Sequence, residues 1–248
     1  MFFAKSILPA FALAGLALPS LADPLPSWND GAARTAIISF VESVTDPASG
    51  QFVPEQDRIA TFDNDGTLWA EQPLYFQGLY ALDVLKKKAG ADPSILDSDV
   101  LKAAAAGDME GMMAGGMEGL LSVVNVSHSG MTVEDFQKDA AAWVAGATHP
   151  TTGLHYAEMT YQPMVELLSY LRDEGFTTYI VSGGGVHFIR AFAEGAYGIP
   201  PQQVIGTEGD TTYEEVDGKP MLMKHGGITF LDDKEGKPVG IDRHIGKR

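Results

Sequence analysis

Arg58-Ile59-Ala60-Thr61-Phe62-Asp63-Asn64-Asp65-Gly66-Thr67-Leu68-Trp69 is the stretch on which the reading of this 248-residue chain turns. Residues 59–62 are strand formers with no polar face, the pattern of a strand buried on both sides. The run ends in two carboxylates, Asp63 and Asp65, which therefore stand where a strand emerges into a loop. In an open α/β sheet that carboxyl end is where ligands bind. Like charges two residues apart repel, and a divalent cation with oxygen ligands offsets the repulsion directly. With such an ion in place, one carboxylate can attack a phosphorus centre while the other moves protons. A plain Asp-Gly turn is the bland alternative. An EF-hand loop starting at Asp63 fits badly, because Leu68 and Leu74 stand where Gly and Glu are needed.

Asp63, Asn64, Asp65, Gly66 and Thr67 resemble the first motif of the haloacid dehalogenase superfamily, Asp-x-Asp-x-Thr after a hydrophobic strand. The resemblance implies that Asp63 is the nucleophile and Asp65 the acid/base. It also implies that Mg²⁺ is held by Asp63 and by Asp65, the latter through its backbone carbonyl, and that Asn64 and Thr67 lie around the phosphoryl group. An acid at the second position leans towards phosphatases and phosphomutases.

Working outward, residues 71–160 are strongly helical in character, with helix patterns at 74–89, at 98–106 and from Thr132 onward, and a Gly- and Met-rich stretch at 107–120. An all-helical insertion directly after the first motif resembles a cap domain of the phosphoserine phosphatase type. Met109, Met112, Met113 and Met117 suit either a pocket wall or cap core. His128, His149 and His155 are assigned to no metal.

From residue 161 the texture returns to α/β. Pro163 opens a helix closed by Gly175, and residues 177–181 form a second buried strand. That strand ends in Ser182-Gly183-Gly184-Gly185, with a helix running on through Phe188 and Phe192. A hydroxyl and flexible glycines between a strand and a helix start make a phosphate cradle of outward-pointing amides. This resembles the superfamily's second motif and makes Ser182, with Gly183, phosphate-binding. A third strand is expected at 203–207, then a separate hairpin at 211–216 and 219–224 around Asp217-Gly218. The third motif is a lysine near the start of a late helix. Lys237, just before Pro238, fits it best, with Lys234 as runner-up and a solvated surface lysine as the bland alternative.

The fold expected is α/β: a Rossmann-like parallel-sheet core from residues 23–70 and 161–248, with the helical cap of 71–160 inserted. The function expected is Mg²⁺-dependent hydrolysis of a small phosphomonoester through an aspartyl-phosphate. Phosphotransfer on the same fold and non-catalytic binding of a phosphate ligand are the alternatives. The superfamily's fourth motif, a further strand ending in acids, is not found after Lys237. The expectation is a C-terminally truncated chain whose residues 23–248 bind Mg²⁺ weakly, turn over little and associate through an open strand edge.

Residues 1–22 read as a secretory signal: Lys5, a short apolar run, then Ser20-Leu21-Ala22 as the cleavage site. With 0 cysteines there is neither a lipid-attachment Cys nor a disulfide framework. The mature protein is expected to be exported, periplasmic or secreted, with no stable membrane association. A net charge of −16 argues against nucleic acid and anionic membranes as partners.

Overall fold

The computed structural model describes residues 23–247. The signal-peptide expectation falls on residues 1–22 and lies outside the described residues. Among those described, no helix is long and apolar enough to cross a membrane.

The chain opens with α1 (Ala32–Thr45) and reaches β1 (Ile59–Phe62). A helical segment follows: α2 (Phe76–Ala91), α3 (Asp99–Ala106), α4 (Met109–Ala114), α5 (Gly116–His128), the two-residue β2 (Met131–Thr132) and α6 (Val133–Gly146). Then come α7 (Gln162–Asp173), β3 (Thr177–Gly185), the short α8 (Val186–Arg190) and α9 (Ala193–Tyr197), the hairpin β4 (Val204–Val216) and β5 (Lys219–Phe230), and α10 (Gly236–His244). Local chemistry sets many of these ends. Ser98, Asp108 and Thr132 cap α3, α4 and α6, each accepting an N–H of the first turn. The Gly- and Met-rich stretch is thus two helices, parted at Gly115 and Gly116, the latter with φ 56°.

The sheet runs β1-β3-β4-β5-β2, with β1, β3 and β4 parallel and β5 and β2 antiparallel. The expected α/β core is present, as a mixed rather than wholly parallel sheet. Two corrections concern the strands. The first is burial: β1 is only half-buried and Thr61 is exposed, because β1 pairs β3 on one side and has no second neighbour among the described residues. β3, by contrast, is flanked by β1 and β4, and its Thr178, Ile180, Val181 and Ser182 are buried. The second is continuity: the expected third strand and the first arm of the hairpin are one strand, bulged around residues 208–211 rather than broken. The hairpin turns where expected, with Asp217 at φ 51° and Gly218 at φ 73°.

One apolar cluster joins the sheet and the helical segment. Trp69 stacks on Phe192 with ring centroids 4.4 Å apart and meets Phe76 edge-on at 4.7 Å. Tyr80 and Phe136 continue that cluster into the helical layer above α8. A smaller cluster around Leu85, Leu101, Met112 and Val123 holds α2 to α5 together. The two passages between sheet and helical segment run side by side: Ala70 N–H donates to Met159 O at 3.1 Å, and Tyr161 N–H to Leu68 O at 2.9 Å.

Candidate active site

Parallel pairing of β1 with β3 aligns Phe62 with Ile180. The next residues along, Asp63 and Val181, then emerge together at the carboxyl ends of their strands, with Ser182 one step further. Asp63 Oδ1 accepts the N–H of Asn64 at 2.9 Å, and Oδ2 lies 2.8 Å from Lys237 Nζ. The same ammonium donates to Val181 O at 3.0 Å, which fixes it between the two strands. Lys234 is exposed, in a left-handed turn at φ 48°.

Asp65 is turned inward, where Oδ1 accepts the Trp69 indole N–H at 2.8 Å. Burial pushes its carboxyl above the usual carboxylate range; the indole bond opposes the rise, and the charges of Asp63 and Glu71 add to it. Gly66, at φ 70°, lets the loop turn back beneath Glu71. The other two motif residues do not face the pocket. Asn64 is buried, its Oδ1 accepting the Tyr197 hydroxyl at 3.2 Å and its carbonyl accepting the N–H groups of Thr67 and Leu68. Asn64, Thr67 and Lys237 are not among the residues that line the pocket, while Asp63 and Asp65 are.

Ser182 is buried and lines the pocket. Its Oγ accepts the N–H of Gly184 at 3.1 Å, leaving its own O–H free to donate. Gly183 and Gly184 bulge out of the ladder between the pairs Ser182–Gly206 and Gly185–Thr207. The expected cradle of free amides is corrected here. Gly184 N–H is held by Ser182, and Gly185 N–H donates to Gln77 Oε1 at 2.7 Å. The helix that follows is also broken into two five-residue pieces, so little dipole is available.

Close approach of α10 positions Lys237. A Cβ on Gly236 would overlap the Leu231 carbonyl oxygen, and one on Gly240 would overlap the Asp232 carboxylate. Both positions require glycine, and together they let α10 lie flat against the loop that precedes it. Asp232 is fully buried, and neither carboxylate oxygen has a hydrogen-bond partner. Burial pushes it up to about 6, although Lys237 and His244 pull the other way. Its backbone N–H donates to Thr207 Oγ1 at 3.2 Å, and that hydroxyl donates to Gly183 O at 2.7 Å.

Asp63, Asp65, Ser182 and the three glycines after it form one wall of a pocket of about 330 Å³. Its other walls come from the helical segment and the hairpin, and sequence reasoning named none of their polar residues as site residues: Gln77, Asn125, His187, Lys224, Thr207 and Asp233. Of the four methionines weighed, Met117 lines this pocket and Met112 is core; Met109 and Met113 are exposed. His128 lines it too. Gln77 Nε2 donates to His128 Nε2 at 3.0 Å, so the imidazole hydrogen sits on Nδ1, facing Ser127 Oγ at 2.7 Å. Burial pulls His128 down to about 3, keeping the ring neutral. His149 donates to Gln72 O and His155 to Ala147 O, away from the acids.

Residues 60–248 match the family of haloacid dehalogenase-like hydrolases. The chain belongs to that family. No curated protein matches it. Among solved structures, it resembles a conserved protein of unknown function from Anaerococcus prevotii DSM 20548 at 14% identity and a TM-score of 0.52, covering 86% of this chain and 76% of that one; this likeness speaks to the fold. A phosphoserine phosphohydrolase-like protein from Francisella tularensis subsp. tularensis SCHU S4 is similar at 17% identity and a TM-score of 0.38, over 76% of this chain and 73% of its own.

Members of this hydrolase family generally use Mg²⁺, and the donors at the strand end fit it in kind. Asp63 and Asp65 offer hard oxygen atoms, and Asp233 and Glu71 deepen the negative field around Tyr75. Among the described residues, no three acidic or imidazole groups converge closely enough to hold an ion by themselves.

Proposed function

We propose that the chain is a phosphomonoester hydrolase that works through an aspartyl-phosphate on Asp63. What carries this reading is the contact of Lys237 Nζ with Asp63 Oδ2 at 2.8 Å, at the edge of a pocket lined by Asp63, Asp65 and Ser182. Lys237 keeps Asp63 oriented and balances its charge while the phosphoryl oxygens bring further negative charge. Asp63 forms a bond to phosphorus as the ester P–O bond breaks, and the departing oxygen takes a proton from Asp65. A raised affinity for protons suits Asp65 to that role. Water then attacks phosphorus and gives its proton to Asp65, and the acyl-phosphate P–O bond breaks to release phosphate and regenerate Asp63. Ser182 donates its hydroxyl hydrogen to a phosphoryl oxygen throughout.

Asp63 and the backbone carbonyl of Asp65 would hold Mg²⁺, with water and substrate supplying its other ligands. When bound, the ion supplies charge neutralisation between nucleophile and phosphoryl group. The character of residues 1–22 supports an exported setting, where phosphate release from scavenged esters fits better than transfer to a metabolite. The test is hydrolysis of p-nitrophenyl phosphate with and without Mg²⁺, with beryllium fluoride as a competing phosphoryl mimic. Turnover that requires Mg²⁺ and is blocked by the fluoride is the expected result. Turnover unchanged in Asp63→Asn, or turnover that neither needs Mg²⁺ nor responds to the fluoride, would refute the reading.

A further inference from the structure

The pocket wall facing the acids contains a charge with no counter-charge. Lys224, on β5, is only 5% exposed and lines the pocket. Its ammonium has three donors, and the structure gives it one hydrogen bond, to His187 Nδ1 at 3.2 Å. A second side lies over the Phe136 ring, 4.6 Å from its centroid. Among the described residues, no carboxylate comes within 4.0 Å of it. The neighbouring imidazoles add no charge, since burial pulls His187 down to about 4 and His128 to about 3. An ammonium removed from water without an anion is costly, and natural proteins rarely leave one so placed.

The surroundings explain how it is held there. β5 puts Lys224 opposite Met131 of β2 and Thr211 of β4, and the Lys224 carbonyl accepts Gly130 N–H at 2.9 Å. Its side chain reaches towards Gly209, where a Cβ would come within 3.7 Å of Nζ. The same pocket is also lined by the apolar Val124, Phe136, Val186 and Phe188.

We infer that Lys224 is the anchor of a second subsite, which binds a carboxylate at the far end of the phosphate ester's leaving group. The inference rests on the hydrolase reading for the phosphoryl end of the pocket. One isolated cation among neutral imidazoles matches a monoanion. A second phosphate would bring more negative charge than one ammonium balances. The apolar part of the lining accommodates methylenes, so the substrate class is a phosphorylated hydroxy acid with a carbon chain separating its two acidic groups.

Hydrolysis-resistant phosphonates test this without requiring turnover. In buffer containing Mg²⁺, calorimetry compares ω-phosphonocarboxylates of increasing chain length with alkylphosphonates of equal length, and with bisphosphonates. At the best length the carboxylate should bind at least about tenfold more tightly than the alkyl partner, the scale of one hydrogen bond to a charged group. Lys224→Met should abolish that difference, and Lys224→Arg should restore part of it. Equal affinity of the paired ligands, or a preference that survives Lys224→Met, overturns the subsite; a bisphosphonate preference overturns the carboxylate. The wild-type series decides the matter even if the variant fails to fold. Turnover of p-nitrophenyl phosphate on the same preparation separates the two readings. Turnover unchanged in Asp63→Asn sinks the hydrolase, whereas turnover by a protein that binds neither phosphonate sinks the subsite.

Discussion

The two ends of the pocket are built by opposite means. At the acidic end, Asp63 and Asp65 come from one tight loop, and each meets a donor: Lys237 for the first, the Trp69 indole for the second. At the cationic end, Lys224, His187, His128 and Gln77 come from β5, α8, α5 and α2, and among the described residues no carboxylate lies within 4.0 Å of the Lys224 ammonium. On the proposed reading, the acidic end carries the phosphoryl chemistry and the cationic end, completed by a ligand, carries the selection. Mutations at one end should change rate, and those at the other should change which ester is accepted.

The largest expected effect breaks the acidic end outright. Asp63→Asn removes the nucleophile and should leave no measurable turnover, while phosphonate binding at the other end persists. Calorimetry on that variant checks the separation: loss of carboxylate preference together with turnover would mean that the two ends are not independent. Asp65→Asn should lower the rate by about 10²–10⁴, the range for loss of a general acid–base. In the wild type, kcat/KM should fall as pH rises through the raised pKa of Asp65, because the acid must be protonated when the ester bond breaks. A pH profile flat across that limb would reassign the proton donor.

A smaller effect should follow from a residue that touches no substrate. Gly236→Ala places a methyl group against the Leu231 carbonyl, so the start of α10 must shift and carry Lys237 away from Asp63. Loss of one preorganised electrostatic group costs about 10²–10³ in kcat, and Gly236→Ala should approach that of Lys237→Met. Near-wild-type kcat in Gly236→Ala would show that the helix adapts without moving the lysine.

This asymmetry also explains what the sequence disclosed. The acidic end was legible because its spacing is local: a strand, two acids and a Gly within a few residues, then Ser-Gly-Gly-Gly after a second strand. Lys237 could be narrowed to two candidates because a helix start carries its own signal in Pro238. Lys224 carries no such signal. It sits in a polar hairpin where a lysine reads as solvated, and only the pairing of β2 with β5 and the packing of α5 and α6 over that face bury it. Gln77 was hidden for the same reason, as an ordinary helix-surface residue until α2 docks on the glycine bulge. The apolar run of β1 says nothing of how many neighbours the strand has; its open edge was expected instead from the lack of a further strand after Lys237.

The smallest expected effect concerns Asp232, the exception at the otherwise paired acidic end. Its carboxyl is buried without a hydrogen-bond partner, and burial raises it from 3.8 to about 6. The folded protein therefore binds this proton more tightly than the unfolded chain does. The favourable contribution is fully present below about pH 4, is lost as pH rises through about 6, and stays lost above it. Asp232→Asn mimics the protonated acid at every pH, so the variant should exceed the wild type in stability at neutral pH and match it in acid. A shift of this size corresponds to about 1–3 kcal/mol at pH 7. Urea unfolding at pH 4 and pH 7 reads the difference directly, and turnover should change little because Asp232 does not line the pocket. A variant less stable than wild type at neutral pH would mean that the ionised carboxylate is held by Lys237 and His244 more firmly than its burial opposes it. Asp232 would then belong to the paired acidic end.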